Sequence, residues 1–197
     1  MTDHPLPDVP FAGHDRFIAA IDGAVAAGDE HAVTAALRGA LCGLIRDPDV
    51  QLPGCVYEPI ADHYARREIY RSPEHGYSVV AMTWAPGQGT PVHDHCGLWC
   101  VEGVWDGELE ITQYELLETK GDRCRFRAAG GMQAGPGSAG SLIPPHEYHT
   151  IGNTSRDNVA VSVHIYQAPI ERFCKFERQD GEWYNRIDAT LPVDRAA

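Results

Sequence analysis

The chain has 197 residues, enough for one domain with a full hydrophobic core, and its 43% apolar and 22% charged residues are ordinary for a globular protein. Sixteen basic residues against 28 acidic ones, a net charge of −12, leave no basic stripe for a nucleic-acid backbone. No run is long and apolar enough to span a membrane and residues 1–10 lack the basic-then-apolar order of a secretory signal, so the expected location is cytoplasmic. The cysteines Cys42, Cys55, Cys96, Cys100, Cys124 and Cys174 form no C-x-x-C pair and are expected to be mostly free thiols.

Two helices are expected first. Phe17, Ile21 and Val25 recur at four residues, and Val33, Leu37, Leu41 and Leu44 at four, four and three, with Gly28-Asp29 as break and N-cap. An antiparallel helical hairpin over residues 15–46 follows. From about residue 57 the texture changes to short β-rich runs at 77–84, 98–105, 108–117, 123–128, 141–143, 148–151, 159–168 and 183–187. Pro86-Gly87, Asp106-Gly107, Gly130-Gly131, Gly135-Pro136-Gly137 and Asp180-Gly181 read as turns between them. Short strands at near-regular spacing predict a mostly β sandwich or barrel over 57–187, in a single domain covering residues 1–197, with a loose tail over 190–197.

The chemistry concentrates in that β region. His93-Asp94-His95 follows the loop Pro86-Gly87-Gln88-Gly89, and side chains two apart on a strand share a face, so two imidazoles can meet one metal ion. Gly87 before the pair, Gly107 after it, and a distant His149 followed by Asn153 resemble the two motifs of the cupin superfamily. The resemblance implies a cupin barrel (a double-stranded β-helix, or jelly-roll) with His149 as third ligand. His146 competes for that place and is read as a loop residue. The glutamate ligand that cupins commonly carry a few residues past the second histidine is missing, Glu102 standing slightly too far along. Three neutral histidines would leave an iron(II) site with two positive charges, which favours an anionic ligand such as a thiolate. Asp94 points away from its neighbours and reads as a structural hydrogen-bonder. His4, His14, His31, His63 and His75 read as surface residues.

The run from Val159 to Tyr166 alternates, with Ser162, His164 and Tyr166 on one face as a possible hydrogen-bond relay and valines and Ile165 on the other. A Ser-x-His-x-Tyr strand at this distance after the third histidine resembles the thiol dioxygenase family, above all bacterial cysteine dioxygenases of type I. The resemblance implies that Tyr166 is the catalytic phenol and that His164 and Ser162 position it. It further implies a thioether between Tyr166 and Cys100, a cysteine found in the animal enzymes where many bacterial relatives have glycine. Strict alternation puts Cys100 opposite to His93, so a bulge at Gly97 is expected to reset the phase. Tyr64-Ala65-Arg66-Arg67 resembles the Tyr-x-Arg that holds the substrate carboxylate; alignment on Tyr64 selects Arg66, and gapless alignment from His93 selects Arg67.

The resemblance, running over about residues 57–176, implies an Fe(II) enzyme that uses O2 to convert a small thiol carboxylate, L-cysteine first, to its sulfinate. The alternatives are 3-mercaptopropionate, or mercaptosuccinate if Arg172 and Lys175 add a second anionic contact. A cupin enzyme of another metal and a non-catalytic metal-binding cupin are further alternatives. No protein partner is implied.

Overall fold

The structure is a computed structural model that describes residues 6–196; His4 lies outside them. Two helices open the chain, α1 (His14–Val25) and α2 (Glu30–Ile45). The Asp29 carboxylate caps α2 by accepting from the Ala32 amide at 2.9 Å. A short 3₁₀ segment (Gly54–Tyr57) leads into eleven strands. They are β1 (Ala65–Arg71), β2 (Ser78–Trp84), β3 (Val92–His93), β4 (Cys100–Asp106), β5 (Leu109–Lys120), β6 (Arg123–Ala134), β7 (Ala139–Leu142), β8 (His149–Gly152), β9 (Ala160–Tyr166), β10 (Arg172–Arg178) and β11 (Trp183–Thr190).

The strands form two sheets, one in the order β1-β2-β9-β4-β7 and a closed one in the order β10-β11-β6-β5-β8-β3. Facing sheets that the chain visits in turn make the double-stranded β-helix of a cupin, with the helical hairpin on its outside. Strand alternation divides the first sheet. Val79, Ala81, Val101, Val161, Val163 and Ile165 face outward and join Phe17, Ile21, Leu37 and Leu41 of the hairpin in one buried cluster. The opposite face, with Val80, Met82, Cys100, Val104 and Tyr166, turns inward to a second cluster between the sheets. α2 comes so close to β4 that a Cβ on Gly103 would lie 2.8 Å from Leu41 Cδ2.

Several expectations need correcting. β1 and β10 are not among the expected strands, because charged runs such as Arg172–Arg178 show no clean alternation, and the strand expected to carry both His93 and His95 ends at His93. Gly130-Gly131 is no turn but lies inside β6, paired with Gln113 and Thr112 of β5, next to a register shift that leaves Ala129 unpaired. The tail is not loose at its start. Asp194 lies along β1, accepting from the Arg66 amide at 2.8 Å and donating to the Arg66 carbonyl at 2.7 Å. No described helix is long and apolar enough to cross a membrane.

The hairpin–sheet contact can be tested by a double-mutant cycle. Leu41 is fully buried, so Leu41→Ala is expected to cost about 2–5 kcal/mol in urea denaturation, and Gly103→Ala about 1–3 kcal/mol by overpacking. The double variant should cost less than the sum, because the space left by Leu41 accepts the new methyl group.

Candidate metal centre

His93 closes β3 and stands directly opposite His149, the first residue of β8. The register pair brings the two ring centroids to 4.3 Å. His95 lies just beyond the strand, its ring 5.3 Å from that of His93 and 5.1 Å from that of His149. One nitrogen from each ring lies within 4.8 Å of the others. Two nitrogens on one ion sit at most about 4.2 Å apart, so the cluster can close on an ion with a small movement.

The ring orientations favour a cation. His93 Nδ1 is 3.1 Å from the Pro91 carbonyl and His149 Nδ1 is 3.0 Å from the Glu147 carbonyl. A neutral ring has one N–H, and the carbonyls fix it on Nδ1, leaving each Nε2 with a lone pair. Burial, reinforced by His149, lowers the His93 pKa to about 3, and burial also holds His95 well below the usual histidine range. Both are therefore neutral ligand-type imidazoles at neutral pH. His95 Nδ1 is buried without a hydrogen-bond partner among the described residues. The donor set thus fits a first-row divalent metal. His146 is exposed and lies outside the cluster.

The first sheet supplies the adjoining wall. Its strands β4 and β9 pair Cys100 with Tyr166, Glu102 with His164 and Val104 with Ser162, so six side chains alternate onto the inner face. The phase reset that sets Cys100 there comes from a turn, not the expected bulge. His95 accepts from the Leu98 amide at 3.1 Å across Cys96 and Gly97, whose φ values of 55° and 75° are left-handed. His93 and Cys100 therefore belong to different sheets. The Tyr166 ring centroid is 5.8 Å from that of His95 and 6.0 Å from that of His164. Burial, then the neighbouring Cys100, pushes the Tyr166 phenol well above its usual pKa, and burial does the same to the Cys100 thiol.

A chain of hydrogen bonds runs behind these groups. Trp84 Nε1 donates to Ser162 Oγ at 2.9 Å, and Ser162 Oγ lies 2.8 Å from His164 Nε2. The Trp84 ring stacks on Tyr64, with centroids 4.5 Å apart. The two arginines diverge, as neighbours on a strand must. Arg66 Nη1 donates to the Leu191 and Pro192 carbonyls, and its register partner on β2 is Met82 of the inner face, which puts Arg66 on the pocket side. Arg67 turns the other way, to Thr83 Oγ1 and the Glu58 carbonyl.

Some groups behave differently from their sequence reading. The Asn153 amide donates to the Trp84 and Asn158 carbonyls, not to His149, and so ties down the loop after β8. Asp94 is, as expected from the sequence, a structural hydrogen-bonder, accepting from the Cys174 amide at 2.8 Å. Lys175 pairs with Glu177 and Arg172 is exposed. Glu102 was set aside on spacing, yet its carboxylate lies 3.6 Å from His149 Nε2 and 3.2 Å from His164 Nδ1. Its position two residues past Cys100 was the available signal, since alternation gives both one face. A cavity of about 310 Å³ between the sheets reaches Glu102 and Ser162 but not the three histidines.

Metal binding is expected to follow the cluster. His149→Ala should lose most bound iron(II) in elemental analysis after reconstitution, whereas His146→Ala should match the wild type. The reverse result would move the third ligand to His146.

Residues 60–179 match the family described as cysteine dioxygenase type I. Cysteine dioxygenase type 1 of Danio rerio is 22% identical over 115 residues, 58% of this chain and 56% of that protein. The Homo sapiens protein of the same name is 21% identical over equal shares. The chain thus spans little more than half the length of these curated relatives. Among solved structures, TT1209 from Thermus thermophilus is 20% identical with a TM-score of 0.44, over 58% of this chain and 90% of that one. An oxalate oxidase in complex with glycolate is 17% identical with a TM-score of 0.43, over 64% and 60%. Since the family match covers more than half of the sequence, the chain belongs to the cysteine dioxygenase type I family.

Proposed function

We propose that this protein is an iron(II)-dependent dioxygenase that converts a small thiol carboxylate, L-cysteine first, to its sulfinate with O2. The observation that carries the reading is the meeting of the three-histidine cluster with Tyr166, Cys100 and Arg66 on the inner walls of one barrel. Membership of the cysteine dioxygenase type I family supports it, and the names of the curated relatives suggest cysteine. The reading takes the chain as one cytoplasmic domain.

His93, His95 and His149 would hold the iron. When bound, iron(II) supplies a Lewis acid that favours the thiolate form of the substrate and the redox chemistry that O2 needs. The chain's own residues position the rest. The Arg66 guanidinium, fixed on one side by the Leu191 and Pro192 carbonyls, keeps donors for a substrate carboxylate. Fixing that end holds the sulfur before chemistry begins. Tyr166, kept protonated by burial, donates a hydrogen bond to the reacting group. Ser162 and His164 hold the strand face that carries it. The exposed Arg172 and the Glu177-paired Lys175 give mercaptosuccinate no added support.

Metal analysis combined with oxygen uptake across cysteine, 3-mercaptopropionate and mercaptosuccinate tests the proposal. One O2 consumed per cysteine sulfinate, dependent on iron, is expected. Iron-independent turnover, or full activity with another metal alone, would overturn it. Arg66→Ala should raise KM for cysteine roughly ten- to a hundredfold, as loss of a charge-assisted pair costs about 1.5–3 kcal/mol, with a smaller effect on kcat. Arg67→Ala should instead lower stability, since that side chain ties β1 to Glu58, the residue that follows the 3₁₀ segment.

The Cys100–Tyr166 pair carries its own prediction. Replacing an S–H and a ring C–H by an S–C bond is a two-electron oxidation, so a thioether needs an oxidant: O2 takes up the two electrons and the two protons and leaves as hydrogen peroxide. Intact mass after aerobic turnover should fall by about two hydrogens, resist strong reduction, and stay unchanged in Cys100→Ser. An unchanged wild-type mass would exclude the bond.

A further inference from the structure

β1 is an edge strand of the first sheet, so one row of its backbone groups has no neighbouring strand. Residues 191–196 lie along it, and Asp194 makes the attachment. Its Oδ2 accepts from the Arg66 amide at 2.8 Å, and its own amide donates to the Arg66 carbonyl at 2.7 Å. One residue of the tail thus takes both open backbone groups of Arg66. Asp194 Oδ1 lies 3.1 Å from His63 Nε2, which steadies the carboxylate from outside. Nearer to β11 the tail meets the Arg66 side chain, because the Leu191 and Pro192 carbonyls accept from Nη1 at 3.2 and 3.1 Å. Leu191 gives its amide to the Glu171 carbonyl at 2.9 Å and packs against the cluster between the sheets.

These contacts decide which donors of Arg66 are left. A guanidinium carries five N–H groups in one fixed plane. The tail takes Nη1, the nitrogen on the Cδ side of that plane. The opposite edge carries Nε–H and one Nη2–H in parallel, a fork that matches the two oxygens of a carboxylate. Nε is buried and has no partner among the described residues. A free arginine side chain samples many rotamers, whereas one clamped at Nη1 presents a single edge. We infer that Asp194 is a positioning residue for the substrate carboxylate: it docks the C-terminal tail on β1, and the tail's carbonyls hold Nη1 so that the Nε–Nη2 edge of Arg66 meets the substrate. The inference rests on the proposed role of Arg66 as anchor and adds the element that aims it. A thiol without a carboxylate gains nothing from this clamp.

Steady-state rates of the iron-loaded full chain with cysteine test it, with cysteamine, the same thiol without the carboxylate, as a competitive inhibitor. Asp194→Ala is expected to raise KM for cysteine about threefold to tenfold, the worth of one ordinary hydrogen bond. The change in kcat should be smaller, and the inhibition constant of cysteamine should stay as it was. Asp194→Asn keeps an oxygen for the Arg66 amide and should restore most of the loss. The double variant Arg66→Ala/Asp194→Ala should be no worse than Arg66→Ala alone, because Asp194 acts through that side chain. Additive losses in the double variant, or equal weakening of cysteine and cysteamine, mark a general loosening and overturn the inference. A raised KM in Arg66→Ala beside an unchanged one in Asp194→Ala overturns it too, and spares the anchor. An unchanged KM in both removes the anchor and the inference together. Should Asp194→Ala fail to fold, hydrogen exchange in the wild type decides. Tail docking and cysteine binding are linked, so anaerobic cysteine should slow exchange of the Asp194 amide about threefold to tenfold, and cysteamine should not. Equal exchange with either thiol refutes the link.

Discussion

One register position governs the interior of this barrel: His93 of β3 stands opposite His149 of β8. The pair brings together residues more than fifty positions apart, and it does so through backbone hydrogen bonds that no side chain can adjust. Slipping either strand by one residue would turn its imidazole to the other face. His95 needs less from the sheet, because it sits where β3 gives way to the Cys96–Gly97 turn. That turn has the second task of sending the chain to the other sheet, so that β4 begins with Cys100 on the inner face. A short stretch of chain thereby supplies both walls of the pocket.

The helical hairpin makes this possible from outside. A sheet whose inner face gives up positions to Glu102, His164 and Ser162 buries apolar side chains there only in part, around Val80, Met82 and Val104. The valines and Ile165 on the opposite face must find their burial elsewhere, and they find it against Phe17, Ile21, Leu37 and Leu41. The polar interior of the first sheet and the apolar face of the hairpin are thus two sides of one alternation. The close seat of α2 on Gly103 sets β4 firmly, and β4 carries both Cys100 and Glu102.

How far the sequence revealed this depended on whether the signal was local. The hairpin followed from helical periods and one cap, and β9 from strict alternation; both are present with small shifts at their ends. The histidines were legible because a motif spans the distance between His93 and His149. What the sequence hid lies in the pairings. β10 has the irregular pattern Arg172-Phe173-Cys174-Lys175-Phe176, and it is a strand because it pairs with β3 and β11. Gly130 and Gly131 look like a turn and are absorbed in a strand. The tail looked free and is tied down by Asp194, an exposed-looking acid near the end of the chain. The choice between Arg66 and Arg67 rested on where a gap is placed in one dimension, whereas in three dimensions the two side chains point to opposite sides of β1.

Glu102 shows the same limit at the site itself. Counting from His95 along one continuous strand puts it too far along to matter, but the chain turns at Cys96–Gly97 and begins a new strand before reaching it. Once β4 pairs with β9, Glu102 lies opposite His164, and curvature of the barrel brings it to His149 of the facing sheet. Its carboxylate is then the one anion shared by the two walls. A buried carboxylate is costly unless its charge is matched, and the nearest nitrogens to it are those of the His149 and His164 imidazoles, one from each sheet.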